Sequence, residues 1–141
     1  MNCSPSAGPP PIVSDAVLDS SALLALLLAE PGAEVVMAAL PGALLSAVNL
    51  AEIVAQLGER GMAAREARAV AEATGIDVVD FTAEQAMVCG ELRKSTKSRG
   101  LSLGGRACLA LARARGLPAI TADRAWAGLT GLDVVVIRDP H

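Results

Sequence analysis

The sequence predicts a three-layer α/β/α domain with a central, mainly parallel five-stranded sheet. Short apolar runs alternate with longer segments of helical periodicity along the 141 residues. The runs are apolar throughout, which is typical of strands covered by helices on both faces. Because a helical segment separates most successive strands, the strands must pair through crossover connections and therefore run parallel. The chain length suits one such domain.

The boundaries of the elements follow from apolar periodicity and from helix-ending glycine and proline residues. The predicted strands are the five short apolar runs, at residues 16–18, 43–46, 76–80, 119–121 and 133–137. The predicted helices span residues 20–30, 33–40, 48–59, 63–73, 83–97, 104–115 and 124–129. Residues 1–14, rich in Pro, Ser and Gly, are predicted to be a disordered leader, and residues 15–141 a single domain.

Composition excludes several classes of protein. The longest apolar run, residues 22–29, is too short to cross a bilayer, so no membrane association is expected. The start of the chain lacks the basic and apolar segments of a signal peptide. Cys89 and Cys108 lie in helical segments and are expected to be buried apolar side chains rather than a disulfide, which suits a cytoplasmic protein. The single histidine, His141, argues against histidine-based zinc sites and a Ser-His-Asp triad.

Three acidic residues, Asp19, Glu52 and Asp123, lie where predicted strands give way to helices. Ligands of parallel α/β sheets bind beyond the carboxyl ends of the strands, so these side chains can converge there. A cluster of carboxylates is unfavourable unless protons or a cation occupy it, and oxygen ligands suit Mg²⁺ or Mn²⁺. A fourth junction of the same shape carries Gly105 where a carboxylate would fit.

Each carboxylate also has a purely structural interpretation. Asp19 and Asp123 could cap the helices that follow them, and Glu52 could complete a capping box with Asn49. The structural interpretation leaves unexplained the small hydroxyl residues beside the acids, Ser20, Ser21 and Thr121. We expect Ser21 and Thr121 to hold the carboxylates in place.

The segments VLDSSALLALLLAEPG, SAVNLAEIVAQL, SLGGRACLALA and ITADRAW together resemble PIN-domain ribonucleases, specifically VapC-type toxins of VapBC toxin–antitoxin systems. The resemblance covers about residues 15–138 and implies a PIN-like fold. It implies an Mg²⁺- or Mn²⁺-dependent endoribonuclease that hydrolyses RNA phosphodiesters, is inhibited by a cognate antitoxin and forms a homodimer. The acidic positions of the family match Asp19, Glu52 and Asp123, which would hold the metal.

The family also has an aspartate in the slot of Gly105. Its loss predicts a weakened or inactive enzyme, and such a change could be natural or engineered. A non-catalytic PIN-like domain that binds antitoxin or RNA is the first alternative. A receiver-like phosphoacceptor domain built around Asp80 is the second, and it is disfavoured because no lysine follows Lys97.

Basic residues are the candidate contacts for an RNA backbone. Arg106 and Arg124 directly follow site positions, and four further cations cluster near the end of a predicted helix, namely Arg93, Lys94, Lys97 and Arg99. Each could instead be a solvated helix surface. The segment at residues 22–40 is so apolar that part of it is expected to contact a second copy or an antitoxin helix.

Overall fold

The computed structural model describes residues 15–138, in which five strands form one sheet. The strands are β1 (Val17–Leu18), β2 (Leu44–Ser46), β3 (Asp77–Val79), β4 (Ala119–Thr121) and β5 (Val134–Val136). Their order is β3-β2-β1-β4-β5, and all four pairings are parallel. The predicted fold class is therefore confirmed. The predicted leader at residues 1–14 lies outside the described residues.

Six α-helices within residues 15–138 connect and cover the strands. They are α1 (Ser20–Leu27), α2 (Ala33–Ala39), α3 (Ala47–Glu59), α4 (Ala64–Glu72), α5 (Ala83–Thr96) and α6 (Leu103–Arg115). Two 3-10 turns, Lys97–Arg99 and Arg124–Trp126, follow α5 and β4 respectively. No helix within residues 15–138 is long and apolar enough to span a membrane.

Two apolar cores lie on opposite faces of the sheet, as alternation along the strands requires. On β1, Leu18 belongs to the core beneath α1 to α4, whereas Val17 belongs to the core beneath α5 and α6. The second core contains Trp126, which is 2% exposed and fills space beside α6. β1 and β4, at and beside the centre of the sheet, are thus buried throughout, in agreement with their apolar sequences, whereas the edge strands β3 and β5 are only partly buried.

Polar residues fix where the helices begin. The hydroxyl of Ser46 accepts from the Val48 amide at the start of α3, and that of Ser102 accepts from the Gly105 amide at the start of α6. Such caps satisfy amides that have no partner within the helix. The predicted helix at residues 124–129 is only a 3-10 turn, because the backbone is extended at Ala127 and Gly128 has a φ of 80°.

The strand order also decides against the receiver-like alternative. A receiver-like sheet has the order 2-1-3-4-5, which places the third strand beside the first. Here β3 is an edge strand and β1 lies between β2 and β4. Asp80, which follows β3, is therefore separated from the end of β1 by the whole of β2.

The buried position of Leu45 on β2 gives a test of the core. Leu45 is 0% exposed, and Leu45→Ala should lower the free energy of unfolding by about 3 kcal/mol through lost burial and a residual cavity. Met37 on α2 is 61% exposed, so Met37→Ala should change the free energy of unfolding by no more than about 0.5 kcal/mol. Urea unfolding measures both; equal losses would contradict the assigned core.

Candidate active site

The site lies where the strand order reverses direction. Successive strands run from β1 to β2 and β3 on one side and from β4 to β5 on the other, so the switch falls between β1 and β4. Ligands of open parallel sheets bind at this crevice, outside the carboxyl ends of the strands. The Asp19 amide donates to the Ile120 carbonyl at 2.8 Å, which places Asp19 beside Thr121 at that edge.

Asp19 is buried, with 6% of the residue exposed, and two hydroxyls hold its carboxylate. Ser21 donates to Asp19 Oδ2 at 2.7 Å, and Thr121 donates to the same oxygen at 3.0 Å. Ser21 and Thr121 in turn accept from the amides of Ala122 and Asp123. Asp19 occupies the position before α1 but makes no side-chain cap, so the capping interpretation fails for this residue.

Glu52 reaches toward Asp19 from the second turn of α3. Its Oε1 accepts from the Ser20 hydroxyl at 2.8 Å and from Asn49 Nδ2 at 2.9 Å. The expected capping box of Glu52 with Asn49 is wrong, because α3 begins earlier and Ser46 is its cap. Glu52 and Asp19 therefore form a pair of neighbouring carboxylates, and both face the same Asn49 amide nitrogen.

Asn49 is the functional candidate that the acidic pattern alone did not single out. Its Nδ2 lies 3.5 Å from Asp19 Oδ1 and 3.0 Å from the Gly104 carbonyl, in addition to its contact with Glu52. The side chain is wholly buried between α3, β1 and α6. The sequence signal was available: a polar residue one helical turn before Glu52, on the same face of the helix.

Asp123 is placed differently from the other two acids. It is exposed, and its Oδ1 accepts from the Ala125 amide at 2.9 Å, so it does cap the 3-10 turn. Its amide is linked to Asp19 through the Thr121 hydroxyl. Within residues 15–138, no three His, Cys, Asp or Glu side chains are close enough to hold a metal together. The structure thus brings together Asp19 and Glu52, without Asp123.

Burial and neighbouring charge shape the electrostatics of the pair. Burial raises the pKa of Asp19 above its ordinary value, the nearby charge of Glu52 raises it further, and the hydroxyls of Ser21 and Thr121 act in the opposite sense. Burial also raises the pKa of the Cys108 thiol, as do the charges of Asp19 and Glu52. A cation beside the carboxylates would favour the ionised form of Asp19.

Two adjacent glycines complete the site at the start of α6. A Cβ on Gly104 would collide with the Glu52 carboxylate, so this glycine makes room for Glu52. A Cβ on Gly105 would lie 3.0 Å from Trp126 Cζ2, so a side chain there requires the Trp126 ring to yield slightly. The slot predicted for the missing carboxylate therefore borders Trp126 and Leu101 of the apolar core, whereas its neighbour Gly104 borders Glu52.

The basic candidates fall into two groups. Arg93, Lys94 and Lys97 are exposed at the end of α5 and in the turn that follows, and Arg124 is exposed after Asp123. The other two are engaged with backbone. Arg99 donates to the Ala127 carbonyl at 2.7 Å, and Arg106 donates to the Cys89 carbonyl at 3.1 Å.

A family model of the PIN domain matches residues 16–132, which include the whole site. The chain belongs to the PIN-domain family. No curated protein sequence matches the chain significantly. The resemblance to PIN domains that the sequence motifs predicted is therefore confirmed at the level of the family.

Solved structures with this fold include VapBC toxin–antitoxin complexes and a VapC toxin. A toxin–antitoxin complex from Klebsiella pneumoniae aligns with a TM-score of 0.70 and 23% identity, covering 88% of this chain and 98% of the other. VapBC-5 from Mycobacterium tuberculosis aligns with a TM-score of 0.53 and 25% identity, covering 92% of this chain and 100% of the other. VapC20 from the same organism is a Sarcin-Ricin loop cleaving toxin. It aligns with a TM-score of 0.61 and 24% identity, covering 84% of this chain and 98% of the other. At such identities the likeness concerns the fold.

The raised pKa of Asp19 makes stability depend on pH. The folded protein holds this proton more tightly than the unfolded chain, so the stabilisation is complete below a pH of about 3.9 and is lost as pH rises through the raised pKa. Asp19→Asn should therefore flatten the fall in stability above that pH, measured by urea unfolding in EDTA. The exposed Asp123→Asn is the matched control and should keep the slope; identical slopes in all three proteins would contradict the assignment.

Proposed function

We propose that this PIN domain descends from a metal-dependent endoribonuclease toxin and that Gly105 weakens or abolishes its activity. The observation that carries the proposal is the Asp19–Glu52 pair at the strand switch, within residues matched by the PIN family model. The substrate would be RNA, whose phosphodiester bonds are hydrolysed. The metal would be Mg²⁺ or Mn²⁺.

The residues present fit a hard divalent cation in part. Asp19 and Glu52 offer oxygen ligands, and burial of Asp19 disfavours its charge unless a positive charge is near. Asp123 would contribute directly or through a water. When bound, such a cation would lower the pKa of a coordinated water and neutralise charge on a phosphate.

The protein groups around the pair have defined tasks in this proposal. Ser21 and Thr121 fix Asp19 Oδ2, while Ser20 fixes Glu52 Oε1, so the carboxylates are oriented before any ligand arrives. The exposed cations Arg93, Lys94, Lys97 and Arg124 would contact the phosphate backbone, and Arg106 and Arg99 would support the surrounding loops.

A non-catalytic function is the second candidate, and two observations favour it. Gly105 provides no carboxylate, and the Asp123 carboxylate is engaged as a cap in this structure. A PIN-like domain with such an incomplete set of carboxylates would bind an antitoxin or RNA without cleaving RNA. The two candidates share a fold and differ only in whether the site completes its ligand set.

The partners proposed for the chain are a cognate antitoxin and a second copy of itself. The neighbour from Klebsiella pneumoniae is a toxin–antitoxin complex, and VapBC-5 from Mycobacterium tuberculosis is a member of the VapBC family of toxin–antitoxin systems. In this chain Leu23 of α1 is fully buried, and the other leucines of that helix are partly buried against the core. The large exposed apolar side chains among residues 15–138 are Met37, Met87 and Leu103. These side chains are the first candidates for contacts with either partner.

Restoring the missing carboxylate tests the proposal. Gly105→Asp should raise Mn²⁺-dependent cleavage of RNA by about 10- to 100-fold, the usual effect of a group that orients or completes a metal site. Gly105→Ala is the matched control, because its Cβ meets the same Trp126 ring without adding a carboxylate. Asp19→Asn added to Gly105→Asp should remove the gain and exclude a contaminating nuclease. Equal cleavage by Gly105→Asp and the starting chain would contradict the weakening role of Gly105.

The exposed cations can be tested apart from catalysis. Replacing Arg93, Lys94 and Lys97 with Ala should reduce the slope of log affinity against log salt by about 2 for single-stranded RNA, measured in EDTA. Arg99 is left in place because it anchors the loop at Ala127. The matched control replaces Arg113 and Arg115, which are exposed at the far end of α6, and should leave the slope unchanged. An unchanged slope in the triple variant would reject this patch as an RNA contact.

A further inference from the structure

Asn49 occupies the centre of the site, although the family pattern of acidic residues does not include it. It is 0% exposed, and its Nδ2 faces Glu52 Oε1 at 2.9 Å, the Gly104 carbonyl at 3.0 Å and Asp19 Oδ1 at 3.5 Å. All three neighbours are hydrogen-bond acceptors. Only the NH₂ end of the amide can face them, which fixes the orientation of the side chain.

The oxygen end of the Asn49 amide lowers the stability of the fold. Asn49 Oδ1 is buried and has no hydrogen-bond partner within the described residues. Burying an unsatisfied acceptor lowers stability, and an apolar side chain of the same shape would avoid that penalty. Structural groups that violate local packing rules in this way are concentrated at functional sites. The advantage that offsets the stability lost at Oδ1 must therefore come from the groups that Asn49 Nδ2 contacts.

The contacts of Glu52 indicate what that benefit is. Ser20 and Asn49 both donate to Oε1, whereas Oε2 accepts no hydrogen bond from the described residues. The carboxylate lies against Gly104, where a Cβ would collide with it. Because Asn49 binds Glu52 and the Gly104 carbonyl together, it sets the carboxylate against the start of α6 and beside Asp19.

We propose that Asn49 is a positioning residue for the carboxylate pair. It holds Glu52 by Oε1, so that Oε2 and the Asp19 carboxylate are left to bind a divalent cation, and it ties α3 to α6 across the site. The inference rests on the proposed metal-dependent function, and it adds a residue that acts through Glu52 rather than on the substrate. Partners of metal ligands commonly have this role.

The test uses two substitutions of Asn49 in the full chain. Asn49→Leu keeps the branched arrangement of four side-chain heavy atoms and removes both N–H donors, and Asn49→Thr keeps one hydroxyl donor in case the bulkier leucine variant does not fold. Isothermal titration calorimetry with Mn²⁺ alone should show affinity weakened by about 10- to 100-fold for Asn49→Leu and by less for Asn49→Thr. Ile53→Val is the matched control, since it removes one methyl group from a fully buried residue one turn along α3. Its Mn²⁺ affinity should stay within about twofold of that of the starting chain, since the substitution removes no hydrogen-bond donor or acceptor from the site.

Crystal structures of the same variants separate the two proposals. If the starting chain and Gly105→Asp both fail to bind Mn²⁺, the proposed function is wrong, and the position of Glu52 then decides the role of Asn49. A Glu52 carboxylate that leaves Ser20 or Gly104 in Asn49→Leu, or in Asn49→Thr, supports positioning. If an Asn49 substitution leaves Mn²⁺ affinity unchanged in a chain that binds the ion, the positioning role of Asn49 is wrong. A Glu52 carboxylate that stays in place in both Asn49 variants would also overturn that role.

Discussion

The buried carboxylate of Asp19 is the constraint on which the site depends. Its backbone amide continues the pairing of β1 with β4, so the side chain emerges in the crevice where the sheet reverses its strand order. An ionised carboxylate in such a place must be compensated. Ser21 and Thr121 supply two of the compensating hydrogen bonds, and their own positions follow from α1 and β4.

Glu52 places a second carboxylate beside Asp19. Neutral donors and free space accommodate its charge, rather than a basic side chain. Ser20 and Asn49 donate to one oxygen, and Gly104 provides room for the carboxylate. Neutral donors leave the pair negatively charged when both carboxylates are ionised, which is what a cation site requires.

The sequence predicted the fold closely because its signals are local. Unbroken apolar runs located the strands to within one or two residues, and the helices began near Ser46, Thr82 and Ser102, whose side chains cap them. The predicted helix after Asp123 was too long, because Gly128 adopts a positive φ that residue periodicity does not reveal. The prediction for Glu52 as half of a capping box failed for a related reason: the start of α3 depends on Ser46 rather than Asn49.

By itself, the sequence determined the strand and helix pattern and the family motifs, and it predicted Asp19, Glu52, Asp123 and Gly105 as candidate site residues. These features are encoded in periodicity and in short motifs. Only the tertiary structure decided which of the acids meet, because that depends on strand order and on side-chain direction. It paired Asp19 with Glu52, assigned Asp123 to a cap, and placed Asn49 between the carboxylates. Contacts between residues far apart in the chain, such as Asn49 with Gly104, exist only once α3 and α6 pack beside the same strand ends.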